Sequence, residues 1–153
     1  NADGTWSEAA PVADDGTGDT DFDMIVYQGK LYLAYAQSKT VFSSAEFATT
    51  TSLLNSMTFA QEMTVAVFDP DTQSFQTVAQ LTDDGYYDTL PTFGIVSDQL
   101  YLAWNKNMAL DDSATFCMNT ENYIWYTAFD GSSWSAPECA LHGCYPVVDL
   151  AVT

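Results

Sequence analysis

The chain contains no arginine, and its three lysines (Lys30, Lys39 and Lys106) stand against 21 acidic residues, which gives a formal net charge of −18. Nucleic acids and anionic membrane surfaces are bound through clustered cations, because their phosphates must be neutralised. Three scattered lysines cannot form such a cluster. We therefore expect no nucleic-acid partner, while the acidic surface is compatible with solubility and with divalent cations.

Long apolar runs are also missing, and none approaches the ~20 residues that a membrane-spanning helix requires. We therefore expect no membrane insertion. The N-terminus lacks the pattern of a signal peptide, which predicts a mature or excised piece. An acidic composition with three cysteines is typical of secreted or cell-surface proteins, where disulfides form. The composition therefore predicts an extracellular location.

What the chain does contain is an internal repeat at an offset of 69 residues. Four separate features coincide at that shift, so the chance similarity of one strand is a poor explanation. They are Trp6 with Phe75, Asp14-Asp15-Gly16 with Asp83-Asp84-Gly85, Asp19 with Asp88, and LYLAY (31–35) with LYLAW (100–104). A third, partial copy is indicated by YTAFDGSSWSAP (126–137), which matches DGTWSEAAP (3–11).

Each unit is predicted to contain four strands, because runs rich in aromatic and β-branched residues alternate with turn residues. The predicted strands of the first unit are 22–27, 30–37, 63–68 and 74–81, and those of the second are 91–96, 99–105, 123–129 and 134–141. Asp69-Pro70-Asp71 and Asp130-Gly131 indicate tight turns between the third and fourth strands.

Apolar side chains occupy both faces of the first two strands in each unit; Phe22, Met24 and Val26, for example, alternate with Ile25 and Tyr27. A sheet with one solvated face would show polar residues at every second position, whereas propeller blades are covered on both sides. The predicted fold class is all-β, a β-propeller fragment of about two complete four-stranded blades plus flanking strands. The predicted single domain, 1–153, divides into a last strand with its connection (1–21), two blades (22–81 and 82–141) and the first strand of a following blade (142–153).

The turn and strand DGSSWSAP (130–137), the DDGxxD connection and the LYLAW strand together resemble the β-propeller repeats of sialidase-like and fucose-lectin-like proteins. The Asp-box of sialidases has the form Ser-x-Asp-x-Gly-x-x-Trp, and Asp130-Gly131-x-x-Trp134 is one residue shorter. The resemblance implies a propeller architecture and a lectin-like role. It does not imply sialidase activity, because that activity requires an arginine triad and the chain has no arginine.

Two complete blades are fewer than the ~4–8 blades of a closed propeller. Sheets left without neighbours would expose edges that are prone to pairing with other chains. We therefore expect the chain to be part of a longer propeller or to oligomerise with copies of itself.

The candidate ligand site is the rim where two inserts, 38–62 and 106–122, emerge beside the DDGxxD connections. A capping-box pattern predicts a short helix at Ser44–Asn55 in the first insert. We expect a glycan to bind at this rim by aromatic stacking and acidic hydrogen-bond acceptors. The candidate ligand-binding residues are Tyr86, Tyr87, Asp88, Trp104 and Asn105. The alternative for Trp104 is a place in the core between blades, and the alternative for the inserts is that they cover a neighbouring blade.

Three carboxylates at alternate positions, Asp19, Asp21 and Asp23, project to one side of an extended chain. Such a set could bind Ca²⁺, a hard cation that prefers oxygen ligands. The alternative is structural, because only Asp19 has an acidic counterpart (Asp88) in the second unit and aspartate in turns often accepts hydrogen bonds from backbone N–H groups. No other cofactor is expected.

The three cysteines, Cys117, Cys139 and Cys144, all lie in the last third of the chain. The predicted strand register places Cys117 nearest Cys144 and Cys139 opposite Ile124. It therefore favours a Cys117–Cys144 disulfide with Cys139 as a buried free thiol, and a Cys139–Cys144 bond is the alternative. Zinc is not expected, because Cys-x₂-Cys spacing is absent.

These observations favour a non-catalytic extracellular binding module that recognises carbohydrate. One alternative is a structural or protein-interaction segment without a small ligand. Another is a fragment of a propeller glycoside hydrolase, in which Asp19 and Asp88 would contribute to the pair of carboxylates that such enzymes need. The only histidine, His142, is predicted to lie in a turn, and no nucleophile motif accompanies it, so an enzyme is the less favoured reading.

Overall fold

A computed structural model describes residues 4–6, 8–9, 11–13, 15–39, 41, 61–108, 121–144 and 151–152. Within these residues every regular element is a β-strand, which confirms the all-β class. The strands are β1 (Thr20–Tyr27), β2 (Lys30–Ser38), β3 (Gln61–Asp69), β4 (Ser74–Gln80), β5 (Tyr87–Val96), β6 (Gln99–Asn107), β7 (Asn122–Phe129) and β8 (Glu138–Cys144). No helix in the described part of the chain has the length and apolar content needed to cross a membrane.

The strands form two antiparallel sheets, each with its strands in chain order. Sheet A contains β1 to β4 and sheet B contains β5 to β8. The first two strands of each sheet are joined by a two-residue turn with positive φ at both positions, Gln28-Gly29 in sheet A and Ser97-Asp98 in sheet B. Such turns match the right-handed twist of the strands they connect. The two turns are related by the 69-residue offset.

A second backbone feature repeats at the same offset. Asp21 (φ 39°) and Leu90 (φ 54°) lie at β-bulges, where the register of β1 against β2 and of β5 against β6 shifts. Gly16 and Gly85, in the preceding connections, share a φ of 76°. A bulge adds one residue to one strand and turns it locally. The repeat seen in the sequence therefore extends to the backbone conformation.

The main core lies between the two sheets. Sheet A contributes one face of its strands, including Tyr32, Ala34 and Val65, and sheet B contributes Phe93, Leu100, Leu102 and Trp104. β5 packs against β1, β2 and β3. At about 25 cal/mol per Å² of buried apolar surface, this contact between sheets is a principal source of stability.

The faces of the two sheets that point away from this core differ. On sheet A, Leu33, Tyr35 and Ala66 form a second buried cluster with Phe75 beside it. On sheet B, Gly94 lies directly under Val152, so that the C-terminal residues cover part of that face.

Most predicted strands are present with ends that differ by a few residues. The fourth strand of the second unit begins at Glu138 instead of Trp134, because Trp134 forms only an isolated bridge with Phe129 and Pro137 has no N–H to donate. The described residues of the predicted N-terminal strand, within 4–13, are not in a strand. The predicted helix at Ser44–Asn55 and residues 145–150 of the predicted last strand lie outside the described residues.

One expectation about coverage was wrong. β1 was expected to be covered on both faces, but Phe22, Met24 and Val26 are 69%, 49% and 64% exposed. The reason is that no described strand packs against that side of β1. The apolar pattern of β1 therefore identifies a face that can be buried. In this structure that face is exposed to solvent.

Candidate functional site

A polar cluster that is buried except for Asp84 lies at the end of the strands where the DDGxxD connection enters β5. We call it the rim cluster and define it by Glu62, Asp84, Asp88, Trp104 and Lys106. At its centre the side chain of Asp88 is completely buried. The Trp104 Nε1–H donates a hydrogen bond of 3.0 Å to one Asp88 oxygen, and the Thr82 hydroxyl donates one of 2.5 Å to the other. Asp88, on β5, is thus held by β6 and by the connection between β4 and β5.

Lys106 supplies the positive charge of the rim cluster. Its Nζ forms an ion pair with Asp84 and lies 3.7 Å from Asp88 Oδ1. The same ammonium lies 5.6 Å from the ring centroid of Tyr86 and 5.1 Å from that of Trp125, within the range of cation–π attraction. Because Lys106 is only 2% exposed, its charge is compensated almost entirely by protein groups.

Glu62 connects sheet A to this cluster. Its Oε1 accepts hydrogen bonds from the backbone N–H groups of Asp84 (3.1 Å) and Gly85 (2.9 Å), while its buried Oε2 has no hydrogen-bond partner. Glu62, Asp84 and Asp88 each place a carboxylate oxygen within 4.8 Å of the other two. Three carboxylates so close together repel one another, and the Lys106 ammonium reduces that repulsion.

The ionisation of Asp88 is strongly perturbed. Burial raises its pKa from 3.8 to about 7, and the nearby Asp84 and Glu62 charges act in the same direction. Lys106 and the Thr82 hydrogen bond oppose this rise. The carboxyl of Asp88 therefore changes protonation near neutral pH.

The first unit contains a smaller and more exposed version of the rim cluster. At the position of Lys106 it has Gln37, whose Nε2–H donates a hydrogen bond of 3.0 Å to Asp15, the counterpart of Asp84. Asp19, the counterpart of Asp88, accepts hydrogen bonds from the Ser38 N–H and from the Thr17 hydroxyl, both of 3.2 Å. The geometry is repeated, but the buried ammonium of Lys106 is replaced in the first unit by the neutral amide of Gln37.

The residues predicted to bind a glycan are separated by the structure. Asp88 and Trp104 are brought together, but both are fully buried, and Trp104 lies in the core between the sheets. Asn105 is also buried, on the opposite face of β6 from Trp104, where its Nδ2–H donates to Asn122 Oδ1 at 3.3 Å. Tyr86 and Tyr87 are half-buried. Of the five candidates, only these two tyrosines have exposed surface of any extent.

The three aspartates proposed for Ca²⁺ accept hydrogen bonds from different groups. Asp21 accepts hydrogen bonds from the Thr89 hydroxyl and from the Leu90 N–H, and Asp23 accepts one of 2.7 Å from the Phe93 N–H. Both side chains thus cover the edge of β5. Asp19 bonds instead to Ser38 and Thr17, so the three carboxylates do not converge. Among the described residues, the one set of three acidic groups that does converge is the one in the rim cluster.

Towards the opposite end of the strands, an open cleft lies between sheet A and the turn that joins β7 to β8. This inter-sheet cleft has a volume of about 590 Å³. Its apolar wall contains the rings of Tyr32, Phe129 and Trp134. Its polar lining residues are Lys30, Gln80, Ser132, Ser133 and Ser135. The sequence identified the Asp130 turn but not the cleft, because the cleft needs the side chains of β2 and β4 from the other sheet.

The Asp130 turn gives the cleft a fixed wall. Asp130 Oδ1 accepts hydrogen bonds of 2.8 Å from the N–H groups of Ser132 and Ser133, and the Ser132 hydroxyl donates a third. These bonds, the Ser133 N–H first, lower the pKa of Asp130 to about 2. The turn holds Trp134 with its ring centroid 5.1 Å from that of Phe129. Asp130 thus orders this wall through the turn that it stabilises.

Cys139 has a free, half-buried thiol, whose Sγ lies 3.4 Å from the Leu141 carbonyl oxygen. The pairing of β7 with β8 places Cys139 opposite Trp125, not Ile124 as expected, because the register shifts between those two residues. Cys144 lies opposite Asn122. Cys117 and its predicted disulfide lie outside the described residues.

Comparisons with known proteins identify no family for this chain. No family model matches it, and no curated protein or solved structure matches it either. The functional argument therefore depends on the residues and geometry described above.

Proposed function

We propose that this chain is a non-catalytic extracellular binding module whose two sheets stack as consecutive blades of a β-propeller, and that it binds a neutral carbohydrate in the inter-sheet cleft. The observation that carries the proposal is the composition of the cleft. Three aromatic rings form one wall, and hydroxyl, amide and ammonium groups border it. Ligand sites for small polar molecules combine an apolar surface with a few placed hydrogen-bonding groups in this way.

The charge of the chain narrows the ligand class. A formal charge of −18 repels anionic ligands, and Lys30 is the only lysine that lines the cleft. An anionic or sulfated glycan would meet this repulsion without a cluster of cations to offset it. A neutral saccharide avoids that cost and still uses the ring faces and the hydroxyl groups. The propeller stacking is supported by the 69-residue correspondence of strands, turns and bulges between the sheets.

The glycoside hydrolase alternative gains little support from the rim cluster. Asp88 has a pKa near neutrality, which is a property of many catalytic acids. Its carboxylate is nevertheless enclosed and fully engaged by Trp104, Thr82 and Lys106, so a substrate has no route to it in this arrangement. We therefore assign the rim cluster to joining the connection to the two sheets. Calcium is not part of the proposal, since Asp21 and Asp23 are engaged with β5.

The structural or protein-interaction alternative is favoured by a different observation, the exposed apolar row on β1. That surface and the inter-sheet cleft lie on different parts of sheet A, so the two roles are compatible.

Binding to an array of neutral glycans, followed by calorimetry on the best ligand, tests the proposal. We expect Lys30→Ala and Val78→Ser to weaken binding at least several-fold, because both side chains line the cleft, while both are exposed and contribute little to stability. The matched control is Tyr86→Ala with Tyr87→Ala at the rim cluster, which should leave binding unchanged.

Two results would contradict the proposal. Absence of binding across a broad array would remove the carbohydrate function. If the tyrosine double variant lost binding while Lys30→Ala and Val78→Ser kept it, the ligand site would lie at the rim cluster and not in the inter-sheet cleft.

A further inference from the structure

The rim cluster contains more negative charge than its one lysine can neutralise. When ionised, the carboxylates of Glu62, Asp84 and Asp88 contribute three negative charges, and Lys106 supplies one positive charge. Glu62, Asp88 and Lys106 are at most 2% exposed, so solvent compensates little of the difference. The excess of two negative charges equals the charge that one divalent cation would neutralise.

The side chain of Glu62 supplies a second, independent observation. Its Oε1 accepts the backbone N–H groups of Asp84 and Gly85, which fixes the carboxylate against the connection that carries Asp84. Its Oε2 is buried and has no hydrogen-bond partner. Buried polar atoms are nearly always paired, and a carboxylate oxygen is satisfied only by a hydrogen-bond donor or a cation. An unpaired oxygen beside two other carboxylates therefore indicates a cation ligand.

The spacing of the three carboxylates fits Ca²⁺. One oxygen of each lies within 4.8 Å of the other two. Two oxygens that bind the same Ca²⁺ at about 2.3–2.6 Å are at most about 5.2 Å apart, so a single ion can contact all three groups. A ligand set of oxygens alone favours a hard cation over Zn²⁺, which binds nitrogen and sulfur ligands well. Ca²⁺ also tolerates irregular geometry, whereas Mg²⁺ requires a nearly regular octahedron.

The Lys106 ammonium does not engage every oxygen of the rim cluster. It pairs with Asp84 Oδ2 and lies 3.7 Å from Asp88 Oδ1. Asp88 Oδ2 accepts a hydrogen bond from Thr82, and a carboxylate oxygen has two lone pairs, so it can also contact an ion. The side chain of Asp84 is 43% exposed and connects the cluster to solvent. An ion needs far less access than a saccharide does.

We propose that the rim cluster binds one Ca²⁺ ion through carboxylate oxygens of Glu62, Asp84 and Asp88. The ion joins β3 of sheet A to the connection that enters β5 of sheet B, and so stabilises the contact between the sheets at this end. In the first unit Asp15 and Asp19 occupy the corresponding positions, but no third acidic group converges with them among the described residues. We therefore expect one ion per chain.

Terbium luminescence and calorimetry of the full chain, freed of metal with EDTA, test this proposal. Tb³⁺ replaces Ca²⁺ at oxygen sites and is excited by nearby tryptophans, here Trp104 and Trp125. We expect one Ca²⁺ per chain with a Kd of about 10⁻⁴ to 10⁻³ M, the range of extracellular calcium modules. Ca²⁺ should displace Tb³⁺ and raise the unfolding temperature, and Mg²⁺ should bind at least tenfold more weakly.

Glu62→Gln and, separately, Asp84→Asn should weaken Ca²⁺ binding at least tenfold, because each removes one negative ligand. Glu62→Gln keeps an oxygen that can accept the Asp84 and Gly85 N–H groups, so this variant should keep the circular dichroism spectrum of the parent. Asp15→Asn is the matched control, because it removes the same charge from the corresponding connection of the first unit. It should bind Ca²⁺ like the parent.

Three results would overturn the proposal. The first is the absence of saturable Ca²⁺ binding by the parent chain, which decides the matter even if a variant fails to fold. The second is parent-like affinity in both rim-cluster variants. The third is equal weakening by Asp15→Asn, which would show only a diffuse attraction of the ion to an acidic chain.

Discussion

Asp88 and Lys106 of the second unit correspond to Asp19 and Gln37 of the first unit. Gln37 provides a neutral amide donor at the position where Lys106 provides a buried ammonium. At the level of the residue, this difference accompanies a change from a partly exposed set of hydrogen bonds to a cluster with a buried charge. The 69-residue offset relates Gln37 to Lys106, but the sequence did not show that the lysine is buried. The sequence also did not show that Glu62 joins the cluster, because Glu62 belongs to β3 of the other sheet. The matching place in β7 holds Tyr123, which pairs with Lys106, so the repeat gives no acidic counterpart that would have pointed to Glu62.

The raised pKa of Asp88 predicts a pH dependence of stability that Asp88→Asn should remove. An unfolded aspartate ionises near pH 3.9, while Asp88 in the folded chain ionises near 7. The folded state therefore holds a proton that the unfolded state has lost, and this carboxyl makes the free energy of unfolding decrease as pH rises from about 4 to about 7. The rise in pKa corresponds to at most about 4 kcal/mol.

Urea unfolding of the parent and of Asp88→Asn at pH 4.5 and 7.5 measures this effect. The advantage of the parent over the variant should be larger at pH 4.5 than at pH 7.5. An advantage of the parent that is unchanged or larger at pH 7.5 would show that Asp88 is ionised in the folded chain throughout this range.

At the level of the element, β5 begins sheet B, and its free edge is covered by side chains of β1. Asp21 and Asp23 accept hydrogen bonds from the Leu90 and Phe93 N–H groups, next to the β-bulge of each strand. Exposed strand edges invite pairing with other chains, and this arrangement prevents it at β5. The sequence predicted the strands but not these contacts, because an Asp-x-Asp run in isolation is equally compatible with a metal site.

Asp23→Ala should destabilise the chain by about 1–3 kcal/mol, because it leaves the Phe93 N–H without its acceptor. Asp23→Asn keeps one of the two acceptor oxygens and should lie between the parent and the alanine variant. Asp71→Ala, at an exposed turn position, is the control for loss of one negative charge. Faster hydrogen exchange of the Phe93 amide in Asp23→Ala, but not in Asp71→Ala, would show that the lost stability comes from the Asp23–Phe93 hydrogen bond. Equal stability of the two alanine variants would contradict the prediction.

At the level of the whole molecule, the repeat was the most informative feature of the sequence, and it predicted two four-stranded sheets with nearly correct strand limits. It also led to the expectation that both faces of β1 are covered, which was wrong for Phe22, Met24 and Val26. Apolar patterning indicates which faces of a strand can be buried. It does not indicate which other strand or chain covers each face. The inter-sheet cleft could not be foreseen for a related reason, since its walls come from strands far apart in sequence.

The contact between Gly94 and Val152 predicts how the C-terminal residues are held. A Cβ at position 94 would overlap with the Val152 side chain, so Gly94→Ala should displace residues 151–152 from sheet B. The Val152 methyl resonances should shift towards random-coil values in this variant. Gly18→Ala, at a position with open space around its Cβ, is the matched control and should leave them in place. Unchanged Val152 resonances in Gly94→Ala would mean that the contact does not persist in solution.

The distribution of lysines has a practical consequence for work on this chain. Lys106 is enclosed, so that of the three lysines amine-directed coupling can reach only Lys30 and Lys39. Lys30 borders the inter-sheet cleft, and a chip or fluorophore attached there would obstruct the entrance to that cleft. Labelling at random amines would therefore block the proposed carbohydrate site in part of the molecules, and the affinity measured on such a preparation would be too low.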